Sequence, residues 1–276
     1  IRQEIEKDTA KIAGNNKDDD NNGYVDDVHG WNFLGNKAGI IVNADQLEIT
    51  RIVKLGMLKY GSKKASEISE ENKKDFEQHL DLLEKFEARA IEKKTEIENL
   101  KTTQKRLLQI KNNFKEVKEF AGTTVLTATF LMNLTPSNAQ MAAKIADILG
   151  ILERGMTEEG LADYKKGLTT YLDAQAKDKR YDLDFNARQT LGDNLYDIED
   201  KFYGNSNVID SKELESHGTH VAGIVAASRN NNKGVNGVVN NVKIMAVRVV
   251  PDGDEHDKDV ALGIRYAVDN GAKIIN

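Results

Sequence analysis

The stretch ESHGTHVAGIVAAS, residues 215–228, contains the side chain of this chain that is best suited to acid–base chemistry, His217. The small residues that follow it predict a helix that begins near His217 and lies close against a sheet. A helix dipole disfavours a positive imidazole at the N-terminus. A histidine that accepts a proton there therefore needs a carboxylate on its other ring nitrogen and a hydroxyl to serve. The plain alternative is that His217 caps the helix and His220 fills the core.

A longer string carries more information than the histidine alone. SHGTHVAGIVAA, residues 216–227, resembles the histidine motif of the subtilisin-like serine proteases, peptidase family S8. The flanking stretches 200–210 and 231–254 resemble the parts of that family that lie on either side of the motif. DDDNNGYVDDVHGWNF, residues 18–33, resembles a segment that many bacterial members, especially from the Bacteroidetes lineage, carry between their aspartate and histidine motifs.

The resemblance implies a serine endopeptidase whose Ser-His-Asp triad hydrolyses peptide bonds, with His217 as the general base and His220 as a packing residue. It implies that the aspartate, in a DSG-type strand end, lies upstream and that the serine, in a GTSMA motif, lies beyond Asn276. The chain is therefore interpreted as a fragment. Such a triad requires no cofactor, and its substrate is a protein or peptide. An exported location (periplasmic, cell-surface or extracellular) follows from the resemblance alone.

The same resemblance implies a substrate-binding segment. Gly253, Asp254 and Glu255 align with the family strand that pairs with an extended substrate, which is an instance of strand addition to a sheet edge.

The acidic stretch DDDNNGYVDD is a candidate calcium loop. Asp18, Asp20, Asn22 and Asp26 offer side-chain oxygens, and Tyr24 offers a carbonyl, in a spacing that resembles the start of an EF-hand loop. The bidentate glutamate of position twelve is replaced by His29, so another carboxylate, such as Asp27, would have to close the site. The alternative is an Asx-rich surface turn whose side chains cap their own backbone.

Residues 46–185 differ from the rest of the chain because they are dense in Glu, Lys and Leu. The run 65–120 contains no Gly or Pro and spaces its apolar residues helically, which predicts a helix about 80 Å long at ~1.5 Å per residue. Gly122 should end it, Thr135-Pro136 should begin another helix, and residues 157–177 should form a third. An antiparallel hairpin within the chain accounts for this pattern, and an intermolecular coiled coil is the alternative.

The remaining residues predict an α/β fold. GWNF (30–33) should be a core strand with Trp31 and Phe33 alternating against Asn32. VKIMAVRVV (242–250) reads as a buried strand, and it is followed by a helix with Val260, Ile264 and Val268 on one face, by Gly271 and by a second strand, AKIIN. A strand, a helix and a strand form a parallel unit. We predict a partial subtilisin-like parallel sheet with helices on its faces, made by residues 1–45 and 186–276, and a helical insertion at 46–185.

Composition limits the classes of function. The 276 residues carry a formal charge of −6, which disfavours nucleic acid as the partner. The absence of cysteine excludes a disulfide scaffold, Cys-ligated zinc and a thiol nucleophile. The longest strongly apolar run, 125–134, is too short to span a bilayer, so we expect no transmembrane segment.

Two functions compete with a peptidase. A protease homologue retained as a non-catalytic scaffold would use its helical arm to bind partner proteins. An isolated helical interaction module would explain residues 46–185 but not the histidine motif. In an active protease the insertion would lie near the rim of the cleft, where it would restrict substrate access or dock another protein.

Overall fold

A computed structural model describes residues 11–12, 14–209 and 216–276 of the protein. These residues form two compact units, one made by the residues up to Phe76 and from Lys179 onward and the other by Glu77–Asp178. The predicted division at residues 46 and 185 stays a prediction. The helical unit defined by contacts is narrower than the predicted insertion, because the first helix of that region belongs to the other unit.

The first unit contains a parallel pair of strands. β1 (Gly30–Asn32) pairs with β2 (Ala246–Arg248), with Trp31 opposite Val247. The predicted alternation in GWNF is wrong in one respect, because Asn32 is as buried as its neighbours. Its side-chain oxygen accepts the N–H of Leu34 at 2.9 Å, which satisfies the amide inside the core.

Helix α8 (Asp257–Asp269) follows β2 and packs on it. The close approach occurs at Gly263, where a Cβ atom would lie 2.7 Å from the side chain of Val249. The predicted apolar face is wrong, since Ile264 and Val268 are exposed and the buried face carries instead Leu262 and Tyr266. The reason is that α8 contacts the sheet through the side that bears the glycine.

The predicted end of α8 is confirmed, and the predicted second strand is not. Gly271 has a φ of 86° directly after the C-cap, as the sequence predicts. Residues 272–276 form no strand with the described part of the chain, and Ile274 is 89% exposed. A strand forms only where a neighbour supplies the hydrogen bonds of a ladder, and no described residue supplies them to residues 272–276.

An aromatic core lies beneath this sheet. Tyr24 contacts Trp31 and Tyr266 edge-to-face, with ring centroids 5.0 and 4.9 Å apart, and Phe33 contacts Tyr203 in the same way. Burial raises the pKa of Tyr24 to about 12. The core therefore joins the acidic loop, β1, the segment before the histidine motif and α8.

Three further helices belong to the first unit: α1 (Glu48–Tyr60), α6 (Ala187–Leu191) and α7 (Ser216–Ala226). The prediction that the histidine motif forms a helix is confirmed by α7. Between α1 and the long helix lie two short 3₁₀ turns, Ala65–Glu67 and Glu70–Asn72.

The second unit is helical. The long helix α2 (Lys73–Ala121) ends at Gly122, whose φ is 64°, as the sequence predicts. It is followed by α3 (Ala128–Met132), α4 (Ala139–Glu153) and α5 (Glu158–Gln175). The prediction that Thr135-Pro136 begins a helix is wrong, because α4 begins three residues later. There the side chain of Asn138 accepts the N–H of Met141 at 2.9 Å, which makes Asn138 the N-cap.

The packing of the helices within this unit agrees with an intrachain hairpin. Lys118 pairs with Glu158 near the start of α5, while Gln104 bonds Thr169 and Glu96 bonds Tyr171 further along, so α5 runs antiparallel to α2. The apolar core of the unit is formed by Ile110, Phe114, Val117, Leu126, Leu131, Ile145, Ile148 and Ile151. No helix among the described residues has both the length and the hydropathy that crossing a membrane would require.

Candidate functional site

His217 is the second residue of α7, and its side chain is exposed. Among the residues that the structure describes, no carboxylate or hydroxyl group is hydrogen-bonded to its imidazole. Residues 210–215, which precede the helix, lie outside the described residues. His220, which the resemblance implies is a packing residue, is also exposed here.

The far end of α7 is held by the loop that follows it. The N–H groups of Val238 and Val239 donate to the carbonyls of Ile224 and Val225 at 3.0 and 3.1 Å. These carbonyls belong to the last turn, where a helix has no partners of its own. The loop, which lies within the stretch 231–254 that also carries the family resemblance, thus fixes the helix that bears His217.

The predicted substrate-binding segment, 253–255, is already paired along one edge. The N–H of Asp252 donates to the carbonyl of Asn43 at 2.7 Å, and the carbonyl of Asp252 accepts from Asp45 at 3.0 Å. The N–H of Asp254 donates to Gln46 at 3.2 Å. Within the described part of the chain, the backbone N–H and C=O of Gly253 have no hydrogen-bond partner.

Only glycine fits at position 253. Its φ is 145°, which other residues rarely adopt, and a Cβ atom there would lie 2.3 Å from the carbonyl oxygen of Asp45. The backbone of residues 43–45 therefore lies so close to Gly253 that it fills the space in which a side chain would lie. The paired segment 43–46 was not recognised from the sequence as part of this site.

A histidine–carboxylate pair lies beside this segment. The Nε2 of His256 is 3.0 Å from Asp45 and 3.3 Å from a guanidinium nitrogen of Arg51. Both members are more than nine-tenths buried, and Asp45 also accepts the N–H of Gln46 at 2.7 Å. Since His256 precedes α8 and has a cation beside it rather than a hydroxyl, we interpret the pair as structural.

The candidate calcium ligands are engaged by groups of the chain itself. Asp18 accepts the N–H of Asn22 at 3.1 Å, and Asp26 accepts that of Asn15 at 3.0 Å. The side-chain oxygen of Asn22 accepts the N–H of Tyr24 at 2.8 Å. The bond of Asn22 is that of an Asx turn, and Asp18 and Asp26 cap backbone four and eleven residues away, so these oxygens serve the chain's own backbone.

The remaining carboxylates of the loop face an ammonium group. Lys11 Nζ lies 3.0 Å from Asp20, 2.8 Å from Asp27 and 3.3 Å from the side-chain oxygen of Asn270. Burial alone would lower the pKa of Lys11, but the hydrogen bonds and charges of Asp27 and Asp20 outweigh it and raise the pKa. The hydroxyl of Tyr266 donates to the other oxygen of Asp27 at 2.7 Å.

The oxygens of the loop, as they lie, do not fit a calcium ion. In residues 11–12, 14–209 and 216–276, no three His, Asp or Glu side chains are grouped as a metal site requires. The ammonium of Lys11 already occupies the place between the carboxylates of Asp20 and the buried Asp27. The calcium site stays a prediction, and the arrangement matches the alternative of an Asx-rich turn.

A buried ionic network connects the segment before the histidine motif to α8. Arg188 donates to Asp193 at 3.2 Å and to Asp259 at 3.1 Å, while Lys258 donates to Asp193 at 2.8 Å. The hydroxyl of Tyr203 donates to Asp259 as well. Burial and the charge of Asp259 raise the pKa of Tyr203. Two cations thus face two carboxylates, as buried charges require.

Comparison with known proteins gives one family. The model of the subtilase family matches residues 77–276. The chain is 44% identical over 82 residues to "Thermophilic serine proteinase" of a Bacillus species, a match that covers 29% of this chain and 19% of the relative. It is 41% identical over 97 residues to "Cell wall-associated protease" of Bacillus subtilis, covering 34% of this chain and 10% of the relative.

A third relative is shorter. The chain is 40% identical over 85 residues to "Thermitase" of Thermoactinomyces vulgaris, covering 29% of this chain and 30% of the relative. The chain thus spans less than a third of the length of each of these curated relatives. No solved structure is similar enough to the chain to count as a match.

Proposed function

This chain belongs to the subtilase family, and from that premise we propose that the whole protein is a serine endopeptidase in which His217 is the general base. The observation that carries the proposal is the string SHGTHVAG at the start of a helix, with the imidazole of His217 exposed. An exposed ring at a helix end can reach a substrate, whereas the buried His256 cannot.

The proposed reaction needs two groups from outside this chain. A serine hydroxyl attacks the peptide carbonyl while His217 takes its proton, and an aspartate holds the other ring nitrogen. The protonated imidazole then gives that proton to the departing amine, which leaves an acyl-enzyme. Water attacks the acyl-enzyme by the same proton path and releases the serine. No metal or organic cofactor takes part in these steps.

We assign substrate pairing to the segment 253–255. Asp252 and Asp254 bond to residues 43–46, so Gly253 is left to offer its N–H and C=O to a peptide strand. Main-chain pairing of this kind gives affinity for extended peptides with little dependence on sequence. The substrate class is therefore a protein or an extended peptide.

An exported location is part of the proposal. Two relatives are named as a cell wall-associated protease and an extracellular serine protease. For the helical unit, Glu77–Asp178, we propose a role in screening bulky substrates or in docking a partner protein.

The test is hydrolysis of a peptide by the full-length protein and by its His217→Ala variant. Loss of the histidine from a subtilisin-type triad lowers kcat by a factor of about 10⁶. We expect a loss of that order, with an unchanged circular dichroism spectrum. His29→Ala serves as the matched control, since this exposed histidine should be dispensable.

Near wild-type hydrolysis by His217→Ala would remove His217 from the mechanism. If the wild-type protein hydrolyses no peptide and reacts with no serine-directed inhibitor, the scaffold function becomes the better interpretation.

A further inference from the structure

The first turn of α1 and the segment 254–255 bind each other by reciprocal contacts. Leu47, the N-cap residue of α1, has no side-chain oxygen with which to cap the helix. The carboxylate of Asp254 does so instead, accepting the N–H of Glu48 at 2.7 Å. A carboxylate at this place also interacts favourably with the helix dipole. The side chain of Asp254 is thus used inside the protein, although the residue was predicted to contact substrate.

Arg51 makes the opposite contact, from the helix to the segment. One terminal nitrogen of its guanidinium donates to the carbonyls of Gln46 and Asp254 at 3.0 and 2.9 Å. The other donates to the carbonyl of Glu255 at 2.9 Å. The Nε donates to the carboxylate of Glu48 at 2.9 Å, and the side chain is only 13% exposed.

The geometry of these bonds restricts the segment more than a single contact would. A guanidinium is planar and presents its donors in a fixed fork, so carbonyl groups that bind it are held at fixed relative positions. Because Arg51 binds the two carbonyls that follow Gly253, it sets the direction in which the backbone leaves that residue. The conformation of Gly253, with its φ of 145°, is therefore maintained by a side chain of α1.

We propose that Arg51 is a positioning residue for substrate binding, which holds the carbonyls of Asp254 and Glu255 and thereby orients the free backbone edge at Gly253. The proposal rests on the proposed function, and it goes further by making α1 a support of the substrate-binding segment. A displacement of about 1 Å in such a support can lower the rate about a hundredfold.

The experiment compares two substrates of the full-length protein. One is a peptide with four or more residues before the scissile bond, which needs strand pairing. The other is a single-residue ester, which does not reach Gly253. For Arg51→Met we expect kcat/KM on the long peptide to fall about tenfold or more, chiefly through KM, because pairing is what has been lost. On the ester we expect less than about a twofold change, after titration of active sites.

Two further variants define the interpretation. Arg51→Lys keeps the charge but not the fork, so its loss on the long peptide should be intermediate, and it can be measured even if Arg51→Met folds poorly. Arg265→Met removes an exposed arginine of α8 and should leave both substrates unaffected.

Equal losses on both substrates, or no loss on either, in both Arg51 variants would overturn the positioning role while leaving the peptidase function in place. A wild-type protein that cleaves neither substrate would instead overturn the proposed function on which the role depends.

Discussion

Lys11 occupies the place in the acidic loop where oxygens would converge on a bound cation, since its ammonium lies within 3.0 Å of both Asp20 and Asp27. Asp27 is almost fully buried, and without a counter-charge it would be costly to keep ionised there. Tyr266 and Asn270, at the end of α8, complete the set of contacts. One lysine therefore links the start of the described chain to its last helix.

This arrangement predicts the effect of Lys11→Met on stability. Removing one partner of a buried ion pair costs about 3–5 kcal/mol, so the variant should melt at a lower temperature than the wild type. The variant leaves two carboxylates and an amide oxygen facing one another, which are ligands that calcium prefers. We expect excess calcium to raise the Tm of the variant more than that of the wild type. The measurement is thermal unfolding with calcium and with a chelator.

The pH dependence of the free energy of unfolding provides a control, because the direction of its change follows from the pKa of Lys11. The pKa of Lys11 in the folded protein is raised above its ordinary value of 10.5. Its contribution to stability is therefore complete below about pH 10 and is lost as the pH rises through the folded-state pKa. The difference between wild type and Lys11→Met should shrink only in that alkaline range. If calcium stabilises the wild type and not the variant, the loop is a calcium site after all.

The contiguous string around His217 predicts a helix and a family, and the helix α7 and the subtilase match confirm both, while the role of His217 stays a proposal. The pairs that hold the structure together could not be predicted, because their members are distant in the chain. Arg51 and Asp254 are 203 positions apart, and Asp45 and His256 are 211 apart. In a sequence with many charged residues, a single lysine or arginine does not indicate which carbonyl or carboxylate it binds.

At the level of elements, β1 and β2 both lie within stretches that the sequence predicts as strands, but the lengths of the strands are less predictable than those of the helices. The composition of α2 and the glycine after it determine both its existence and its end. The start of α4 was placed wrongly because a Pro in the first turn is a weaker signal than an Asn whose side chain caps the helix. Strands depend on neighbours, so residues 242–250 yield only the three-residue β2 opposite β1.

The division into two units leads to a prediction for a full-length variant in which a short Gly/Ser linker replaces residues 77–178. The first unit should stay folded, because its aromatic core and its ionic network lie within that unit. Loop-closure entropy changes by only ~0.6 kcal/mol per doubling of length, so the linker itself should cost little. If the helical unit screens substrates, cleavage of a folded protein should rise relative to that of a short peptide. The measurement is the ratio of the two rates.

Replacement of residues 46–185 provides the contrast, since it also removes α1 with Arg51. That larger replacement should impair cleavage of long peptides even where the smaller one does not. If the smaller variant fails to fold, the helices of Glu77–Asp178 are needed by the first unit and the division is wrong. If it folds with an unchanged ratio, the helical unit does not screen substrates, and partner docking becomes the better interpretation.

At the level of the whole molecule, the family and the α/β class were predictable from the histidine motif and the pattern of strand and helix, whereas the pairing of residues 43–46 beside Gly253 was not. The histidine motif and its flanks carry the family resemblance, and the family model matches well over half of the chain. The described residues supply an exposed imidazole and a backbone edge at Gly253. In the proposed mechanism the nucleophile and the aspartate are supplied by the whole protein, and the relatives are several times longer than the part that this chain matches.

The most direct test of a histidine-activated serine is the rate at which a fluorophosphonate probe labels the full-length protein. The probe reacts covalently with an activated serine and needs no knowledge of the natural substrate. We predict that the wild type and the His29→Ala control are labelled at the same rate and that His217→Ala is not labelled measurably in the same time. Labelling of His217→Ala at the wild-type rate, or no labelling of a folded wild-type protein, would contradict the account.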